Sequence, residues 1–511
     1  MNKKRLEMQN TGIQKNKKAE LISWVILLLL AIVFYFAATD YFVFPVKLKY
    51  PLLLGLIVLV CIAGIISILV KKKGKIFACV LNCLFIICMI IGLFFLPYLE
   101  SKVKSIFADQ SKATSVVNVY ALKDDGRERI EDYSDALFVV QRKTDIENQN
   151  NAIEEIQNIL DIKKIKTSYQ EDIVSAAKTL YEKQGDLLIL NEVYVDLLEE
   201  IEGFENFSED TKIIYTITRE IESEAEPLIP IRTDITDTPF TVYVAGCDTR
   251  SGRLTTYGRT DVNLILNVNP NTKQILIVGI PRDSYVLNPA LDYGNDKLTH
   301  LGNNGIYNTM KGVSEYFNIE INYYGEVIFD TFKNIIDAVG GIDVDNPYYF
   351  TEAGQSFPEG TIHLNGTQAL AYARTRYALS NGDYGRNEHQ TFVLKAFIKK
   401  IMSPSILSSY NELFDALKGQ FMTDMSVEDL FKLANMQLND GGDWEIVTYH
   451  LGGNGDMCGT ASMGWDRKLY VVHLFDSQVK FVKNQIDLLK KDMKIKQETL
   501  PQDGDTTFIP N

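Results

Sequence analysis

Three arginines, Arg374, Arg376 and Arg386, fall between Tyr372 and Gln390 in a chain whose formal charge is -14. A guanidinium offers a planar fork of donors that matches phosphate oxygens two at a time. Arginines clustered around an Asn381-Gly382-Asp383 turn therefore point to a tightly held anion. The competing reading is a solvated helix end, where arginine is favourable anyway. Three further clusters weigh against it. Asp248 follows an apolar strand, Arg259-Thr260-Asp261 opens the next, and Pro281-Arg282-Asp283 follows the third. Taken singly, each arginine and aspartate reads as an ion pair. Taken together, two carboxylates among arginines suit a diphosphate bridged by Mg²⁺ (Mn²⁺ is the alternative), because magnesium takes one or two carboxylates, waters and substrate phosphate oxygens.

Other chemistries lack their residues. The five histidines, His300, His363, His389, His450 and His473, show no metal-ligand spacing, and neither a GxSxG elbow nor a GxxxxGK[ST] loop occurs. Of six cysteines, Cys61, Cys79, Cys83 and Cys88 lie in apolar runs; Cys247 and Cys458 form either one disulfide or two free thiols. The acidic balance excludes nucleic acid as a partner.

The elements that must position these residues follow from the chain in order. Residues 1–20 form a basic tail. Apolar segments at 21–38, 51–70 and 76–98 each have the length of a membrane span, predicting three transmembrane helices over 21–98. Residues 1–105 hold 14 Lys and Arg against 4 Asp and Glu, a net of +10 that leaves -24 for 106–511. The lysines of the tail and of Lys71–Lys75 place both on the cytoplasmic side, so everything after the third span is expected outside the membrane. Residues 106–235 read as an acidic α+β accessory domain, a spacer or docking module, with strands at 118–122 and 136–140 and helices at 147–160 and 171–183. A Pro- and Thr-containing linker over 227–239 leads to a second domain, 236–495, in which strands at 240–245, 262–268 and 274–280 precede helices at 306–317, 328–339, 367–377, 388–402, 408–417 and 427–438. Strands at 444–450 and 468–473 and a helix at 475–491 close it. This is an α/β layered domain, a mixed central sheet flanked by helices. Residues 496–511 form a polar tail.

The motifs GCDTR (246–250), GRTDVNLIL (258–266), GIPRDSYV (279–286), GGIDVDNP (340–347) and the arginine stretch, in that order, resemble the LytR-CpsA-Psr family, and the layout resembles its capsule-associated, CpsA-type branch. The resemblance implies a cell-envelope phosphotransferase. It would move a glycan phosphate from a polyprenyl-diphosphate carrier to peptidoglycan with Mg²⁺, anchored in the membrane and acting outside it. By motif position, Asp248 and Asp261 would hold the metal, and Arg259, Arg282, Arg374 and Arg376 would clamp the diphosphate. Asp383, Arg386 and Gln390 would complete the pocket, with Asp383 orienting an arginine or assisting the acceptor hydroxyl. The alternatives are a polyprenyl-phosphate-binding membrane sensor and a diphosphate hydrolase. Two positions depart from the family pattern: Gly279, where serine is usual, and His389, where arginine is common, which would make the rim less cationic.

Overall fold

The computed structural model describes residues 22–37, 46–69, 74–107, 112–142, 145–222, 234–247, 257–375, 383–403, 410–417 and 421–501. The chain divides into two compact units, one of residues 1–108 with 426–443 and the other of 109–425 with 444–511.

The first unit is helical. Its helices run over Ile22–Ala37, Val46–Leu69, Gly74–Phe107 and Val427–Asp440, so the last of these groups with the apolar helices although the sequence pattern places it in the second domain. Small residues let the apolar helices approach closely: a Cβ on Gly64 would lie 2.3 Å from the Trp24 indole nitrogen, and one on Gly92 2.7 Å from the Phe34 ring. Buried Asn82 donates to Ser67 and Ser23 on the neighbouring helices, at 3.1 and 3.3 Å. Large apolar side chains point outward, Phe94 being 75% exposed and Ile68 69%. Of the three expected spans, the structure gives one helix long and apolar enough to cross a membrane among the described residues, Lys75–Phe95. Ile22–Ala37 and Leu53–Leu69 are apolar but shorter.

The second unit holds two large sheets and, among the described residues, four two-stranded ones. The accessory sheet has five strands, Lys112–Leu122, Leu137–Gln141, Lys166–Gln170, Leu187–Asn191 and Thr211–Glu222; the first lies antiparallel between the fourth and fifth, and the two inner short strands run parallel. Helices Ile146–Ile159 and Ile173–Tyr181 cover it. The second starts cleanly because the Asp172 carboxylate accepts from the Ser175 N–H at 2.8 Å. The core beneath Ile173–Tyr181 also takes in Met463 and Leu469 from the C-terminal hairpin, and Arg467 pairs with Asp172 at 2.8 Å. The accessory sheet and the C-terminal hairpin thus share one hydrophobic cluster.

The second sheet is mixed and six-stranded. Phe240–Cys247, Thr260–Asn269 and Gln274–Gly279 run antiparallel to one another in chain order; Tyr323–Ile328 adds parallel to the first, Glu445–His450 parallel to the third, and Phe421–Thr423 forms an edge. Antiparallel order has one consequence for function. The end of the first strand, the start of the second and the end of the third all lie at the same end of the sheet, which is where the Arg and Asp clusters fall in sequence. The two parallel additions end there too, with His450 opposite Gly279 and Ile328 opposite Cys247. Ladders of alternating Val, Ile and Leu bury one face against helices Ile306–Phe317 and Asp476–Lys490.

The strand Tyr323–Ile328 escapes the sequence reading because YYGEVI carries a Gly and a Glu and runs into a helix without a turn. Its Glu326 is buried beside Cys247, whose thiol donates to it at 2.8 Å; burial raises the carboxyl to about 7, the thiol's hydrogen bond working against the rise. Cys247 and Cys458 are both free thiols, so the disulfide option is closed.

Candidate active site

Backbone geometry brings Arg259, Asp261 and Arg282 together. A bulge after Gly246 shifts the register so that Cys247 faces Thr260, and bulges at strand ends re-aim the side chains beside them. On the neighbouring strand, the Ile280 N–H bonds to Asn263 O at 2.9 Å, which carries Arg282 back over the start of the second strand. Arg282 Nη1 reaches Asp261 Oδ1 at 2.9 Å, and Arg259 Nη2 lies 3.9 Å from the same oxygen. The Thr299 hydroxyl adds a third contact to Oδ1 at 3.4 Å. Burial alone would raise the Asp261 carboxyl. Arg259, Arg282 and, from the helix above, Arg386 outweigh it, so the group lies below the usual carboxylate range.

Two helices supply the arginine stretch. Gly366–Arg374 begins with a capping box in which the Asn365 side chain accepts from Gln368 N–H at 2.9 Å and Gln368 answers to Asn365 N–H at 3.0 Å; Arg374 lies exposed in its last turn. Asp383–Ile401 then packs over the second and third strands of the sheet, with Arg386 half-buried and Gln390 buried one turn later. Asp248 and Arg376 lie outside the described residues, as does the Asp383 side chain; the helix Asp383–Ile401 begins at that residue. Of the expected site, the structure thus assembles Arg259, Asp261, Arg282 and Arg386, with Gln390 on the same helix as Arg386.

His389 is not at a rim. Its ring stacks on Tyr372 with centroids 4.2 Å apart, Nδ1 meets the Tyr372 carbonyl at 3.0 Å and Nε2 meets the Tyr348 hydroxyl at 3.0 Å. Burial lowers its pKa to about 4, more than the carbonyl contact restores. It is a neutral core residue at neutral pH, and the expected change in rim charge does not arise from it.

Several site residues were missed by reading the sequence. Glu200, from the accessory domain, bridges Arg259 (2.8 Å) and Lys297 (2.8 Å); Lys297 also pairs with Asp283 at 3.3 Å. Burial would raise the Glu200 carboxyl, but Arg259, His300 and Lys297 bring it down to about 2. A residue from the stretch before the second sheet thus contributes a charge to the arginine cluster. Asp296, Thr299 and His300 are fully buried around it, with His300 Nδ1 2.9 Å from Asp296 Oδ1. The available signal was the polar run Asn295-Asp296-Lys297 leading into Thr299-His300, too many charged and polar residues for a helix start that the core must cover.

Backbone contact is tight here. Gly258 N–H bonds to Gly302 O at 3.0 Å, and a Cβ on Gly302 would lie 2.1 Å from Gly258 O, a backbone atom that cannot rotate away. Gly302→Ala is expected to destabilise the second unit by about 1–3 kcal/mol and to displace Arg259. A fall in melting temperature together with weaker substrate binding checks both parts.

The family model described as the LytR_cpsA_psr family matches residues 205–473. The chain belongs to this LytR-CpsA-Psr family. Among curated relatives, it is 39% identical over 197 residues to the polyisoprenyl-teichoic acid–peptidoglycan teichoic acid transferase TagU of Enterococcus faecalis, covering 38% of this chain and 65% of that one. The Bacillus mycoides protein of the same name is 36% identical over 197 residues, covering 38% and 63%. The chain thus spans just under two thirds of the length of these relatives. Among solved structures, B. subtilis TagU aligns with 25% identity and a TM-score of 0.39, over 52% of this chain and 100% of that one. LytR-CpsA-Psr family membership covers the second sheet and its arginine cluster, whereas Glu200 lies just before the matched stretch.

Proposed function

We propose that this LytR-CpsA-Psr protein is a cell-envelope phosphotransferase that moves a glycan phosphate from a polyprenyl-diphosphate carrier to peptidoglycan. The observation that carries this reading is the partly buried Arg259–Asp261–Arg282 cluster under the field of Arg386, a cationic site in an acidic chain. The names of the related transferases, which specify a polyisoprenyl-linked teichoic acid and peptidoglycan, support the substrate class.

The residues present fit a divalent ion. Among the described residues, the three contacts to Asp261 fall on Oδ1 and none on Oδ2, and Arg259 Nε is buried without a hydrogen-bond partner, as a donor awaiting a phosphate oxygen would be. Asp261, with Asp248, would hold Mg²⁺, which would offset charge on the diphosphate when bound. Arg259, Arg282, Arg374 and Arg376 neutralise the remaining phosphate oxygens, and Arg386 and Gln390 close the pocket. The acceptor hydroxyl oxygen bonds to the glycan-bearing phosphorus while the bond from that phosphorus to the polyprenyl phosphate breaks. Polyprenyl monophosphate leaves, its new charge met by the arginines, and Asp383 either takes the acceptor proton or orients an arginine. Catalysis of this kind is positioning and electrostatics.

Three spans over 21–98, with the N-terminus in the cytoplasm and the catalytic domain outside, remain our reading of the anchor. The outward-facing Ile, Leu and Phe of the first unit support it, because hydrocarbon is the solvent that would cover them. A lipid-borne donor suits such an anchor.

The test supplies a polyprenyl-diphosphate-linked glycan, peptidoglycan fragments and Mg²⁺, and follows the phosphate-linked product by mass. Product that requires the divalent ion and falls at least about 100-fold in Arg374→Ala is expected. Bound lipid without product from any acceptor would favour the sensor, and free glycan phosphate would favour the hydrolase.

A further inference from the structure

The C-terminal hairpin, Gly453–Thr460 with Gly464–Leu474, carries a second cluster whose chemistry differs from that of the arginine site. Asp456 and Cys458 lie two residues apart on one strand and so share a face. His473 pairs across the hairpin with Asn454, which is on that same face. The three side chains converge: Cys458 Sγ is 3.4 Å from Asp456 Oδ2 and 3.9 Å from His473 Nε2, and His473 Nε2 is 3.6 Å from Asp456 Oδ2. In a tetrahedral zinc site, bonds of about 2.3 Å to sulfur and about 2.0 Å to nitrogen or oxygen place neighbouring donor atoms about 3.3–3.5 Å apart. The three observed separations fall close to one face of that tetrahedron, with a thiol, an imidazole and a carboxylate as donors.

The frame around the three donors is stiff. A bulge between Cys458 and Thr460 turns the strand at the cysteine, and a Cβ on Gly459 would lie 2.4 Å from Trp465 O, so the two strands are pressed together there. Tyr285 packs edge-on against the His473 ring with centroids 5.2 Å apart, and its hydroxyl donates to Gly459 O at 2.7 Å. The tyrosine thereby ties the imidazole to the backbone beside the cysteine, the kind of outer contact that fixes a ligand's orientation. Asp456 and His473 are exposed and Cys458 is half-buried, so an ion can enter from solvent.

We propose that Asp456, Cys458 and His473 form a zinc-class metal site with a fourth position open to water or to a ligand atom from a partner. Soft thiolate and imidazole donors select zinc over the hard magnesium ion of the phosphate chemistry. On binding, the Cys458 proton, which the carboxylate of Asp456 accepts in the metal-free hairpin, is released to solvent and the sulfur binds as thiolate. Binding therefore weakens as pH falls.

The test uses the full-length chain in detergent, with zinc alone as the ligand and cobalt(II) as its spectroscopic stand-in. One cobalt per chain is expected, with a near-ultraviolet thiolate-to-cobalt charge-transfer band that zinc abolishes. Cys458→Ser should remove the band, and His473→Ala and Asp456→Asn should each weaken zinc binding at least about tenfold. Cys247→Ser should leave the band intact. Melting curves without metal establish that each variant is folded, as expected for positions at the surface. No saturable band, or a band that survives Cys458→Ser, overturns the proposal. The readout does not involve glycan transfer, so it stands or falls separately from the proposed enzymatic activity.

Discussion

Asp261→Ala is expected to lower the transfer rate by about 10³-fold while the protein stays folded and keeps part of its affinity for the lipid-linked donor. The reason lies in the contacts of its carboxylate. Oδ1 holds Arg282 at 2.9 Å and faces Arg259 at 3.9 Å, so the alanine removes the group that aims Arg282 and, on the proposed reading, the carboxylate that would hold Mg²⁺. Arg259 keeps its place because Glu200 holds it at 2.8 Å, which is why binding should survive better than turnover. Asp261→Asn separates the two roles. It retains the volume and one hydrogen-bond acceptor but not the charge, and should recover the melting temperature without recovering the rate. Single-turnover measurements on both variants, beside a binding curve for the donor, test the split. A rate within about tenfold of wild type in Asp261→Ala would remove this residue from the reaction.

Glu200→Ala should destabilise the protein by about 3 kcal/mol, because it removes the carboxylate nearest Arg259 and Lys297, whose side chains are 8% and 6% exposed, and leaves them only Asp261 at 3.9 Å and Asp283 at 3.3 Å. The same carboxylate gives stability a pH dependence whose sign can be worked out. Its folded pKa is lowered from 4.5 to about 2 by Arg259, His300 and Lys297 against the cost of burial. A carboxylate depressed in the folded state contributes stability that is present above its unfolded pKa and is lost as pH falls through the folded value. The window therefore runs from about pH 4.5 down to about 2, and 2.5 pKa units correspond to about 3 kcal/mol. Thermal unfolding of the wild type should fall steeply across that window. Glu200→Gln should start lower and lose that part of the slope. Equal slopes in the two proteins would show that Glu200 does not set the acid limit.

Much of the fold was legible because it is written in local periodicity. Alternating Val, Ile and Leu at 240–245, 262–268 and 274–280 predict strands, and the structure places strands at 240–247, 260–269 and 274–279. The 306–317 helix matches to the residue, since its apolar positions recur with the helical period and Asn318 ends it in a left-handed turn. Even the meeting of Asp261 with Arg282 could be anticipated, because an antiparallel pair puts the start of one strand beside the end of the next.

What the sequence by itself determined was therefore many of the elements, the family and the charge of the site. Tertiary structure alone decided which distant groups meet. Glu200 pairs with Arg259 across 59 positions, a contact set by tertiary packing and not by any spacing. His389 looked like a departure at a rim, yet it is a stacked, neutral core side chain, because nothing local says which face of its helix turns inward. Asp456, Cys458 and His473 show no metal-ligand spacing along the chain, and only the register of the hairpin brings their donor atoms within 4 Å of one another. Local pattern fixes the backbone's preferences over a few residues; pairing over longer distances depends on which faces bury together, and that is a property of the whole packed molecule.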